Sequence, residues 1–164
     1  MLILASAFAI NAQSLTGKEW CTMIHDGDEE EYALEMKFEN NGTCEIEIVK
    51  IEEMKEGNMK MSIEMELDAP GTYKLNGKDL SINLNKGQAK IDFDVDIDGM
   101  DAQTKAKLIQ MIQLEFEKSK DEAKEEMFNV IPNMENMKVV SLDNNRLVLV
   151  NGTGTEITFY ATQD

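Results

Sequence analysis

The sequence is short of nearly everything that catalysis or metal binding draws on. In 164 residues it holds one histidine, His25, and two cysteines, Cys21 and Cys44. A nucleophilic triad would need His25 as its base, and Asp26 lies too close in sequence to orient that ring. No G-x-S-x-G stretch offers a serine nucleophile. One His and two Cys, without C-x-x-C or H-x-x-H spacing, do not compose a zinc site. The expectation is a protein that is not an enzyme. Cationic residues are also scarce: 16 Lys and Arg stand against 32 Asp and Glu, a formal net charge of -16. Such a chain repels a phosphate backbone and an anionic bilayer, so neither nucleic acid nor a membrane surface is expected as a partner. Long apolar runs are missing too. The longest, Leu2 to Ile10, is too short to span a bilayer.

That run ends in small residues. Ala7-Phe8-Ala9 fits an A-x-A cleavage signal, and Asn11-Ala12-Gln13 offers a second. No Lys or Arg precedes Lys18. Residues 1–12 therefore read as the end of a secretory signal peptide without its basic n-region, and residues 13–164 as a single domain, secreted or periplasmic. No cysteine sits where a lipid anchor would need one. In an oxidising compartment Cys21 and Cys44 could pair. Alternation argues against it: if Trp20 points inward, Cys21 points out, whereas Cys44 shares the face of Ile46 and Ile48.

What the chain does have is a regular beat of turns. Asn40-Asn41-Gly42, Gly57-Asn58, Pro70-Gly71, Asn76-Gly77, Lys86-Gly87, Asn144-Asn145 and Asn151-Gly152 all fall between apolar stretches. Asn-Gly pairs suit the positive φ of tight hairpins. Between turns the period is two. Met59, Met61, Ile63, Met65 and Leu67 alternate with Lys60, Ser62, Glu64 and Glu66. Ile91, Phe93, Val95 and Ile97 alternate with four aspartates. These are strands with one dry and one wet face. Segment 44–51 changes phase at Ile48-Val49, which predicts a bulge. About ten strands are expected: 17–25, 31–39, 43–52, 58–68, 71–75, 79–84, 89–98, 136–142, 145–150 and 155–162. Glu29-Glu30-Glu31 repels itself and reads as a solvated loop.

Short connections make neighbouring strands antiparallel. A meander this long, with a single dry face, must close on itself or fold over. The expected fold is mainly β: an up-and-down barrel of about 8–10 strands, with a two-sheet sandwich as the alternative. One connection differs. Residues 101–128 carry Leu108, Ile112, Phe116, Ser119, Ala123 and Met127 at steps of three and four, the stripe of an amphipathic helix inserted before the last three strands. Asp101 is placed to cap it and to pair with Lys105. Pro132 bars its simple continuation.

The segment Leu15-Thr16-Gly17-Lys18-Glu19-Trp20 looks like the opening of lipocalin-like domains. Phe38-x-x-x-Gly42-Thr43, Gly71-Thr72-Tyr73, Leu80-x-Ile82 and Thr158-Phe159-Tyr160 extend the likeness across residues 15–162. The chain resembles the secreted lipocalin-like, calycin-type proteins of Bacteroidetes. That resemblance implies a barrel whose Trp closes one end and whose interior could hold a small hydrophobic ligand. The inward phases would line such a site with Trp20, Met36, Phe38, Met61, Ile63, Met65, Tyr73, Ile82, Phe93 and Val95. Methionine fills irregular space, so these stripes fit either an adaptable pocket or ordinary core.

The other candidate is Asp94-Val95-Asp96-Ile97-Asp98-Gly99, which reproduces the D-x-D-x-D-G opening of a calcium loop. The twelfth position is Lys105, where a bidentate Glu is expected. Either the aspartates are the wet face of a strand, or Asp96, Asp98 and Asp101 bend round a cation as a weak calcium site. No other cofactor is expected. Two functions remain open: a lipocalin-like carrier of a hydrophobic ligand, and a solid-core interaction module meeting a protein partner or divalent cation through its helix or acidic face.

Overall fold

The computed structural model describes residues 15–26 and 30–162; the expected leader, residues 1–12, lies outside them. Among the described residues, nine strands and one long helix follow in order. They are β1 (Glu19–Asp26), β2 (Glu30–Phe38), β3 (Thr43–Glu56), β4 (Met59–Asn76), β5 (Asp79–Leu84), β6 (Lys90–Asp98), α1 (Ala102–Val130), β7 (Met137–Leu142), β8 (Arg146–Val150) and β9 (Glu156–Ala161). All pairings are antiparallel, and the order is β3-β2-β1-β9-β8-β7-β5-β4-β6. β3 also pairs with β4, so eight strands run round in a barrel-like ring. β5 and β6 lie end to end along the same side of β4.

The strand period is seen directly in the packing. On β3 the residues Cys44, Ile46 and Ile48 are buried between exposed or half-buried neighbours. Every ring strand sends a side chain of zero exposure into the middle: Trp20, Leu34, Ile46, Leu67, Leu80, Met137, Leu147 and Phe159. Zero exposure means no water-sized space beside these side chains, outside or within. Where these side chains lie, the middle of the ring is therefore filled by its own residues.

Three expectations are corrected. The segments 58–68 and 71–75 are one strand, because Pro70-Gly71 is not a turn. Pro70 lacks an N–H, yet its carbonyl accepts from Asn85 N at 2.8 Å, on the side where β4 passes from β6 to β5. A strand residue presents N and C=O to the same side. The missing donor thus falls in the gap between two partners, where a proline costs little. Gly71 follows because β5 runs close: a Cβ there would lie 2.7 Å from Asn83 O.

The bulge expected at Ile48-Val49 is also absent. The β3 register is unbroken against β2 and β4, so Lys50 and Glu52 fall on the interior side. They are accommodated as a pair, 2.8 Å apart, with Lys50 Nζ 5.4 Å from the Tyr32 ring. The bulge that does exist lies in β7, between Val139 and Ser141. Third, Glu30 and Glu31 begin β2 rather than sitting in a loop.

Both cysteines are free thiols, Cys21 half-buried and Cys44 buried. They lie on β1 and β3, with β2 between. Burial and the neighbouring Glu35 push the Cys21 thiol up to about 12, and burial pushes Cys44 up to about 11. Both stay protonated and unreactive near neutrality.

Helix α1 starts where Asp101 caps it. That carboxylate accepts from Gln103 N at 3.1 Å, Thr104 N at 3.0 Å and the Thr104 hydroxyl at 2.7 Å. Asp101→Ala is expected to cost about 1 kcal/mol in denaturant unfolding, and Asp101→Asn much less. The helix stops at Ile131, which is extended, as the residue before Pro132 must be. In between it packs back along β6. Phe116 stacks on Phe93 with ring centres 4.2 Å apart, and Met127 and Phe128 join the core. Lys124 Nζ donates to Ala89 O at 2.7 Å.

Candidate functional site

Of the ten residues expected to line an interior site, five belong to the buried core of the ring, and Met65 and Phe93 pack against that same core. Trp20, Met36, Phe38, Tyr73 and Ile82 are buried in the ring core. Their polar atoms have partners already. The Trp20 indole N–H donates to Leu15 O at 2.9 Å, and the Tyr73 hydroxyl donates to Glu39 O at 3.0 Å. Phe38 and Tyr73 meet edge to face, ring centres 4.9 Å apart.

The other five lie farther along the same sheet face. Met61, Ile63 and Met65 on β4 stand opposite Ile97, Val95 and Phe93 on β6. Val95 is buried; Met61, Ile63, Met65 and Phe93 are half-buried. Phe93 meets α1 through its stack on Phe116. One cleft, about 740 Å³, is lined by residues including Lys37, Glu45, Pro70, Thr72, Asn85 and Gln88, where β4 changes partner. Another, about 470 Å³, is lined by residues including Met61, Ser62, Asp96 and Asp98.

The aspartate run takes the strand-face form. Asp92, Asp94, Asp96 and Asp98 are exposed along β6. Asp96 accepts Lys105 Nζ at 2.7 Å, and this ion pair holds its carboxyl below the usual range. Lys105 thus pairs with Asp96 and not, as the helix spacing suggested, with Asp101. The Asp101 carboxylate is taken up by the cap, and the Thr104 hydroxyl chiefly holds its pKa down. Asp98 stands opposite Lys60. Charges alternating along an edge strand also discourage a further strand from pairing there.

The carboxylates that do converge are others. Among the described residues, Glu47, Glu66 and Asp68 form the trio whose oxygens lie within 4.8 Å of one another. All three point outward on the wall made by β3 and β4. Glu47 stands opposite Asp68 on β4 and opposite Glu35 on β2. Burial, then Glu66, Glu35 and Asp68, push the Glu47 carboxyl up to about 7. Glu66 is raised as well, by burial and by Asp68, Asp92 and Glu64. The sequence carries no local signal for this trio. Glu66 and Asp68 are two positions apart on β4, but Glu47 is 19 and 21 positions from them, and only the pairing register of β3 with β4 brings it to them.

This cluster sets a pH dependence. The Glu47 pKa in the folded state lies above its ordinary value of 4.5. The folded protein holds that proton more tightly than the unfolded chain. The resulting stability is complete below about pH 4.5 and is lost as pH rises through about 7. At a site this exposed, screening reduces the effect to about 1 kcal/mol. Thermal unfolding is expected to come later at about pH 5 than at about pH 8, and Glu47→Gln to remove most of that difference. A midpoint that rises with pH over the same window would contradict the cluster.

A scan against protein-family models finds no match for this chain, and a search of the curated proteins finds none either.

Proposed function

We propose that this chain is an exported, lipocalin-like binding domain with a solid interior, and that it meets its partner on the outside of the barrel. It is a binding protein rather than an enzyme. The observation that carries this reading is the set of eight side chains, one from each ring strand, that leave no accessible space between them. A carrier needs a cleft or cavity of about 300–1,000 Å³ that buries most of its ligand. Inside the ring that space is occupied by Trp20, Phe159 and their neighbours. The outer wall offers what a partner would use: clustered carboxylates on a chain of net charge -16. Such a surface attracts cationic groups, whether a basic protein segment or a divalent ion such as calcium.

The test is extraction of the purified protein with organic solvent, followed by mass spectrometry. The expected result is no apolar molecule in stoichiometric amount. A stoichiometric lipid or other apolar compound would overturn the solid-interior reading. A second reading has one observation in its favour. The half-buried strip of Met61, Ile63, Met65 and Phe93, of which Phe93 stacks on Phe116 of α1, is apolar and rich in adaptable methionine. A small hydrophobic ligand held there would bind through the helix seam, and Phe116→Ala would alter its affinity.

A further inference from the structure

Strand alternation should put polar side chains on the outside of this barrel, and on one wall it does not. Met23 on β1 and Ile51 on β3 are 53% and 56% exposed, and Tyr160 on β9 is 60% exposed. They are contiguous. Met23 stands opposite Ala33, and Ala33 opposite Val49. Ile51 follows Val49 two residues along the same face. Tyr160 stands opposite Cys21, two residues before Met23. The same rows continue into acid. Val49 faces Glu66 and Ile51 faces Glu64 on β4, and those face Asp92 and Asp94 on β6. Glu47 and Asp68 complete the wall. Among the described residues, none of the ion pairs engages these six carboxylates. The wall therefore has an apolar centre at Met23, Ala33, Val49 and Ile51, bordered by Glu35 on β2 and by the His25–Glu31 pair, and a flank of uncompensated negative charge on β4 and β6.

We infer that this outer face of β1, β2, β3, β4 and β6 is a docking surface for a basic amphipathic segment of another protein. This rests on the solid-interior reading and adds the place and the partner's chemistry. From β1 to β6 the face spans four inter-strand steps, about 19 Å. That accommodates one amphipathic helix of about 10 Å diameter. Its apolar stripe would cover Met23, Val49 and Ile51, and its Lys or Arg flank would meet Glu64, Glu66, Asp92 and Asp94. Contact with positive charge would also relieve the crowding of Glu47, Glu66 and Asp68. A second copy of this chain does not fit, because it would bring the same acidic wall against itself at a net charge of -16 each.

The experiment uses the full chain and a fluorescein-labelled idealised Leu/Lys amphipathic helix, with a scrambled peptide of identical composition as control. Fluorescence anisotropy at low and high salt reads binding. The expected result is saturable binding that weakens with salt and is about tenfold weaker for the scrambled peptide. The double variant M23T/I51T, which keeps β-formers at exposed positions, is expected to lose about tenfold. E64Q/E66Q should flatten the salt dependence. Equal binding of both peptides, or an M23T/I51T affinity equal to that of the parent, would overturn the proposal. So would a concentration-dependent dimer in sedimentation that M23T/I51T abolishes, or calcium binding at the wall with no peptide binding. Failure of the peptide to bind would overturn the docking surface while leaving the extraction result, and with it the solid interior, untouched.

Discussion

Trp20→Ala is expected to destabilise the fold by about 3–5 kcal/mol, a large share of the stability of a domain this size. The indole has no exposure and closes the ring against Leu15, whose carbonyl it satisfies. Truncation would remove the largest apolar body in the core. It would leave a void that strands on every side cannot fill, and it would strand a buried acceptor. Trp20→Phe restores much of the volume and is expected to cost less, the remainder being the lost hydrogen bond to Leu15. Equilibrium denaturation in urea reads both. A near-native midpoint for Trp20→Ala would mean that Trp20 lines an opening rather than a packed core.

Gly99→Ala is the second large effect, expected at about 2–4 kcal/mol. Gly99 joins β6 to α1 at φ +88, a backbone shape that side chains oppose, and a Cβ there would overlap the Asn58 carbonyl in the β3–β4 turn. Turn and junction would have to separate. The separation would be passed on to α1, whose Phe116 depends on its position over Phe93. Gly77→Ala supplies the control. It also sits at positive φ, but nothing lies within 4 Å of the added carbon, so only backbone strain of about 1 kcal/mol is expected. Thermal unfolding of the two variants separates crowding from strain. Equal losses would contradict the close approach at Asn58.

Much of the architecture was legible because it is written in local periods. The alternation in 59–67 and 91–97 gave β4 and β6, and the three-and-four spacing from Leu108 to Met127 gave α1. The Asp101 cap was legible because capping chemistry depends on a residue's next three neighbours. What was not legible depends on which strands lie side by side. Pro70-Gly71 looks like a turn in isolation. It is a strand because the missing N–H faces the gap between β6 and β5. Lys50 looks like evidence of a bulge until Glu52 and Tyr32 are seen beside it. The acidic wall follows the same rule: Glu47 meets Asp68 only once the β3–β4 register is known, whereas of the nearby Asp96, Asp98 and Asp101, the first is engaged by Lys105 and the last by the helix cap.

These placements give the methionines a use as reporters. Met36 and Met137 lie in the ring core, Met61 and Met65 in the strip toward α1, Met111 on the exposed side of the helix, and Met23 on the outer wall. A protein labelled with carbon-13 at its methionine methyl groups reports all of these regions in one NMR spectrum. The decisive measurement is a titration of that sample, first with a long-chain fatty acid and then with the basic amphipathic peptide. A solid interior with a working outer wall predicts that Met36 and Met137 stay unmoved throughout, and that the peptide shifts Met23. Saturable shifts of Met36 and Met137 on adding the fatty acid would contradict it.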